Sequence, residues 1–371
     1  MGFLNKLFGG KDSSVLPEGL EVEDSGIRPE HIEVDDSHIE LGEFAGGVSA
    51  LAATADGFLV AGEEDPEIRW IDATSGETRG SFTGHSAAIE TLEVAHDAGV
   101  AASIEKESRT IKVWSLDSFA EVASFERPEE ITAVALNSGG DLLGVGQEDG
   151  AVEILSVADG SAVHKLQMPT EALAEVLEEP PEKASRLALA PSGAHLGAIA
   201  SGVLLSWALG SEDEVEIHLL SPHTFCDLEF RADGSYLAAA CGSLRIKIRV
   251  SVGEEASVEI SDVTGALWVK DTNSGETNHV SFESQHMDTV HWSQDGEDLI
   301  AVTSEPPSKH GLKKCSLVVS LQDIIGAGSR TAARKTELGA GAIGAAAAYA
   351  AQSSILAVSF DDKLYGWSTQ V

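Results

Sequence analysis

The sequence is poor in cysteine, in aromatic residues and in positive charge. Its 371 residues include three cysteines, 5% aromatics and 24 Lys+Arg against 61 Asp+Glu, a formal net charge of −37. Cys226, Cys241 and Cys315 form no C-x-x-C pair and no disulfide framework, which implies a reducing compartment. The shortage of cations argues against nucleic acid or a membrane as the main partner, because so acidic a surface repels phosphate backbones and anionic lipid. No apolar run approaches the roughly 20 residues that cross a bilayer, and the N-terminus lacks a secretory core. The expectation is a soluble cytoplasmic protein.

The same charge excess implies a salt-rich cytoplasm. At 1 M ionic strength the Debye length is roughly 3 Å, so a coat of carboxylates is screened from itself. An acidic protein of an ordinary cytoplasm is the alternative.

What the sequence does hold is repetition. An apolar strand, a glycine turn and a second apolar strand recur as VSALAATADGFLVAG (48–62), ITAVALNSGGDLLGVG (131–146), SRLALAPSGAHLGAIA (185–200), FCDLEFRADGSYLAAA (225–240) and TVHWSQDGEDLIAVT (289–303). A third strand running into a polar turn follows, as in EIRWIDATSGE (67–77), TIKVWSL (110–116), DGAVEILSVADG (149–160), LWVKDTNSGE (267–276) and DDKLYGWS (361–368). Period-two alternation with Asp-Gly, Gly-Gly and Ser-Gly turns marks hairpins. Starts near 48, 88, 131, 186, 225, 289 and 342 give seven units. Four strands per unit at about 40-residue spacing predict an all-β chain, a seven-bladed β-propeller of four-stranded antiparallel blades.

These units resemble the WD40-repeat family. Gly84-His85 is similar to its Gly-His element, Trp114 to its third-strand Trp, and EIRWIDATSGE and LWVKDTNSGE to its Trp-Asp segment. The resemblance implies a structural network in which His85, Ser103 and Trp114 hydrogen-bond across one blade. The fourth member, an aspartate, is missing: the turn reads EKESR and Ser115 follows the Trp. Ile71, Leu155 and Lys270 occupy the Trp position elsewhere, while Asp72 and Asp271 keep the aspartate of the pair. It covers roughly 40 to 371.

A ring of blades must close without an open edge. The chain ends on what reads as a third strand, so HIEVDDSHIELGEF (31–44) is expected to supply the missing fourth, with residues near 36–44 completing the last blade. Residues 1–30 read as a flexible acidic tail opening on a short amphipathic segment, MGFLNKLFGGK, which could touch a membrane surface or a partner's groove. Residues 31–371 read as the propeller. GAGAIGAAAAYAAQ (339–352) is helix-forming by composition, but its place in the repeat calls for a buried first strand.

Departures from a repeat are where function concentrates. MPTEALAEVLEEPPEK (168–183) predicts a short acidic helix capped by Thr170, either a solvated connector or a docking element. The fifth unit carries a long insertion whose start, LRIKIRV, puts Arg245, Lys247 and Arg249 on one strand face. Lys309, Lys313 and Lys314 open a second basic island that continues to Lys335. These cations either satisfy the protein's own carboxylates or form a patch for an acidic partner. No aromatics interleave with them as a stacking surface for nucleic acid requires.

Catalytic motifs are missing: there is no H-E-x-x-H, phosphate loop or nucleophile elbow, and His286 and His291 lack a third nearby ligand. Cys226 and Cys241 fall opposite one another if Asp233-Gly234 is the hairpin turn, although a one-residue slip would separate them. They read as core thiols or as a redox pair. The leading expectation is a non-catalytic scaffold for other proteins, a monomeric propeller within a complex that uses no cofactor or metal. The alternative is an enzyme or small-molecule binder with its site in the central channel.

Overall fold

The computed structural model describes residues 38–210, 215–249, 257–308, 311–326, 334–341, 346–360 and 362–369. The 1–30 tail and Lys309 lie outside the described residues, as do the side chains of Arg245, Lys247 and Arg249. Seven four-stranded antiparallel sheets form a seven-bladed β-propeller. Blades 1 to 6 run 48–82, 89–126, 131–167, 186–218, 224–283 and 286–341. Blade 7 takes three strands from 347–368 and its outermost strand from Ile39–Glu43, which pairs with Lys363–Ser368.

Burial follows position in the blade. The second strand has hydrogen-bonded neighbours on both edges and other blades on both faces, so it reads as a continuous apolar run. Gly57–Gly62 and Ile355–Phe360 are buried at every residue. Fourth strands lie at the rim and alternate, as in Ala120–Glu126. The propeller has no single core. Seven apolar clusters form instead, one at each junction between consecutive blades. The one that closes the ring joins Leu41 and Phe44 to Phe58 and Val60 of blade 1 and to Ile355 and Ala357 of blade 7.

The first hairpin turn repeats from blade to blade. In blade 5 Asp233 accepts hydrogen bonds from the Ser235 amide and hydroxyl, and Gly234 takes φ +76°, a conformation in which a Cβ would be strained. Strand order places three departures from the repeat on one face: the connection carrying the short helix Thr170–Ala174, the extended hairpin 243–264 of blade 5 and the extended hairpin of blade 6 beyond Glu305.

Three expectations need correcting. Thr170 is the first helical residue and Pro169 precedes it, with no side-chain cap. The helix is also no free docking element on its apolar side, because Leu173 is buried and Leu177 packs on the cluster between blades 3 and 4. Finally, residues up to Gly341 belong to the last strand of blade 6, Arg334–Gly341, and the first strand of blade 7 is Ala347–Ala350.

Candidate functional site

Three polar networks and a ring of channel-facing groups concentrate the chemistry. The first lies in blade 2. The Trp114 indole donates to Ser103 Oγ at 2.7 Å, and His85 Nε2 lies 2.6 Å from the same hydroxyl. His85 Nδ1 is 3.1 Å from Glu105 Oε1, which also accepts from the Ser86 amide at 2.6 Å. Each buried polar atom thereby has a partner, which a buried indole, hydroxyl and imidazole require. Burial holds the His85 ring below its ordinary pKa against the pull of Glu105. Burial alone would raise the Glu105 carboxyl, but the Ser86 amide and His85 outweigh it and hold it low.

Glu105 is the member that sequence reasoning missed. It stands two residues after Ser103 on the same strand, hence on the same face, and that spacing was the available signal. Asp72 and Asp271 stand apart from this network. Each ends a third strand and caps the following turn, Asp72 accepting from the Thr74 and Ser75 amides and Asp271 from those of Asn273 and Ser274. The Arg79 guanidinium, paired with Asp72 and Asp56, draws the Asp72 carboxyl down to about 2.

The second network ties blade 4 to blade 5. Lys270, in the place of a tryptophan, is buried and reaches Ser206 Oγ at 3.1 Å and Glu216 at 2.7 Å. His218 Nε2 lies 2.9 Å from the same hydroxyl. Burial and then the Lys270 charge depress His218 to about 4.

The third lies in blade 6. Lys314 donates to Asp288 Oδ2 at 2.9 Å and to Ser304 Oγ at 2.7 Å, and Ser304 donates to Asp288 at 2.7 Å. Lys314 is 0% exposed, so it is no part of a surface patch. Its cation answers an internal carboxylate, because a buried ammonium is tolerated only when paired. Asp288 also meets His286 Nδ1 at 3.2 Å. Burial alone would raise Asp288, but Lys314 and then His286 outweigh it, giving about 2.

Along the channel, the innermost strands present backbone amides that no fifth strand pairs. Carboxylates of the preceding blade answer some of them: Asp227 accepts from the Val290 amide, Glu229 from that of Trp292, and Glu93 from that of Leu136. Glu229 also meets His291 Nδ1 at 3.0 Å, while His291 Nε2 is buried without a partner. Glu93, Arg186, Asp227 and Glu229 lie within electrostatic reach of one another, and burial pushes Glu93 up to about 8. Among the described residues no group of three or more His, Cys, Asp or Glu is arranged to hold a metal ion.

The basic islands divide. Arg245, Lys247 and Arg249 occupy alternate positions on the ascending strand of the blade 5 hairpin, with Lys247 in register with Glu259. Lys313 is half-buried at the base of the blade 6 hairpin, in register with Glu305, and Lys335 pairs with Glu305. Cys226 and Cys241 are not opposite: Phe225 faces Cys241, and Cys226 falls in a bulge before Asp227. No cysteine is in a disulfide; Cys241 and Cys315 are buried, whereas Cys226 is half-exposed and so is not a core thiol.

Residues 106–178, from the third strand of blade 2 through blade 3 and the inserted helix, match the family described as anaphase-promoting complex subunit 4 WD40 domain. The chain is a WD40-like β-propeller. Among solved structures, this propeller is similar to Kuenenia stuttgartiensis hydrazine synthase, with a TM-score of 0.65 at 12% identity over 91% of this chain and 99% of the other. It is also similar to U3-55K, with a TM-score of 0.64 at 12% identity over 91% and 100%. At that identity the likeness shows the fold alone. No curated protein sequence matches the WD40-like propeller. No helix among its described residues is long and apolar enough to cross a membrane.

Proposed function

We propose that this WD40-like propeller is a non-catalytic scaffold that holds other proteins in the cytoplasm of a salt-adapted cell. The observation that carries the reading is the gathering of all three departures from the repeat on one face of the ring. Arg245, Lys247 and Arg249 alternate along the sequence of the blade 5 hairpin, and three cations so close together in an acidic chain support a contact with an acidic protein segment. The inserted helix offers Glu171 and Glu175 as a second, acidic contact. The net charge of −37 supports the saline setting, where such a coat stays screened and soluble.

The test is purification from the native cells at native salt, with mass spectrometry of what accompanies the protein. A stoichiometric partner that is lost on reversing the charge of Arg245, Lys247 and Arg249 supports the reading; retention of every partner by that variant removes the patch from it. The second reading, a small ligand in the channel, is favoured by the partnerless His291 Nε2 amid Glu93, Asp227 and Glu229. Small cationic ligands that raise the melting temperature of the wild type but not of His291→Leu would support it.

A further inference from the structure

Cys226 is set apart from the other two cysteines by a register shift. The bulge between Phe225 and Asp227 takes it out of the pairing that places Cys241 in the apolar cluster between blades 4 and 5. A bulge re-aims a side chain, and here Cys226 is a half-exposed residue. Opposite it, across the junction to blade 6, stands His286, whose Nε2 lies 4.0 Å from Cys226 Sγ. The thiol also donates to the Thr224 carbonyl at 3.4 Å.

The imidazole is held in place from two sides. Its Nδ1 meets Asp288, which is itself fixed by Ser304 and the buried Lys314, so the nitrogen facing the sulfur is Nε2. Its ring rests on Gly242, where a Cβ would come within 2.3 Å of it, so only glycine leaves the ring this seat. Burial alone would lower His286, but the Asp288 carboxylate and then Cys226 outweigh it and raise it to about 9, so it carries a proton at neutral pH.

Thiol, imidazole and carboxylate in this sequence form the arrangement that activates a nucleophile. Acyl transfer also needs donors aimed at its oxyanion. Exchange with a disulfide needs none, because its developing charge stays on sulfur. We propose that Cys226, faced by His286 and positioned through Asp288, is a thiol-exchange site that forms mixed disulfides with low-molecular-weight disulfides. The Cys226 proton leaves to solvent and its sulfur attacks one sulfur of the disulfide. The S–S bond breaks, and the departing thiolate takes the proton from His286 Nε2, which solvent restores. The chain gains one mixed disulfide and one free thiol is released; a small thiol runs the step backwards.

The experiment treats the reduced full-length protein with cystamine at neutral pH and follows adducts by intact mass and peptide mapping. The expected result is one adduct, on Cys226, forming about tenfold faster than on a cysteine of the urea-unfolded chain, and a loss of about tenfold in His286→Gln. Cys226→Ser takes no rapid adduct. A native rate no faster than that of the unfolded chain overturns the proposal, as does first reaction at Cys241 or Cys315, or wild-type speed in a folded His286→Gln protein. If His286→Gln does not fold, the native-to-unfolded comparison decides by itself.

Discussion

The Lys314 ammonium lies 2.9 Å from the Asp288 carboxylate with none of its own surface exposed to water. A charge so placed has no alternative partner in solvent, so the pair stands or falls together. Lys314→Met should cost less than the roughly 3–5 kcal/mol of a fully stranded buried charge, about 1–3 kcal/mol, because His286 and Ser304 still face Asp288. Chemical denaturation read against the wild type checks this. The pair also sets a pH limit. Asp288 sits at about 2 against an ordinary 3.8, so its contribution is complete above pH 3.8 and is lost as pH falls toward 2. The acid limb of the wild-type melting curve should show that loss.

Ser103 serves two partners at once, the Trp114 indole and the His85 ring. Ser103→Ala leaves both unsatisfied in the interior and should cost about 1–3 kcal/mol for each stranded group. Glu105→Gln keeps an acceptor for His85 and should cost less. Thermal melting of the two variants side by side tests the order.

A chain starting at residue 46 loses the outer strand of blade 7 together with Leu41 and Phe44, both fully buried at the closing junction. Each such side chain contributes roughly 1.5–3 kcal/mol on burial, and the strand's hydrogen bonds go with them. The truncated protein should therefore melt well below the full chain. Equal melting temperatures would show that the ring closes without this strand.

Glu93 titrates at about 8 in the folded protein against 4.5 in the open chain. Between those values the unfolded chain has released the proton that the folded state still holds, so stability falls as pH rises through the window. Glu93→Gln should remove that slope and be the more stable protein at pH 8 and above. Melting temperatures measured from pH 4 to 9 give the comparison.

Much of the ring was legible because each turn announces itself. Asp233-Gly234 and Ser138-Gly139-Gly140 stand between apolar alternations, and blade starts read near 48, 88, 131 and 186 fall at 48, 89, 131 and 186. Blade 7 was harder, because alanine and glycine around 339–352 carry no alternation by which to tell one strand from the next. The polar networks were less legible still. A lysine such as Lys314 reads as surface until a carboxylate from another strand is seen beneath it. The step that turns Cys226 outward is a register shift, and a bulge of one residue leaves almost no trace in composition.

The outer strand of blade 7 has a consequence for how the molecule is made. Ile39–Glu43 leaves the ribosome first among the described strands, and its partner, Lys363–Ser368, leaves last. Domains form progressively from the N-terminus during synthesis, at about 5–20 residues per second. For most of that time the first strand has an exposed edge and nothing to pair with, and its eventual neighbour arrives only after every other described strand has emerged. Negative charge in the sequence, Asp35 and Asp36 before the strand and Glu40 and Glu43 within it, works against association with the same segment of another nascent chain.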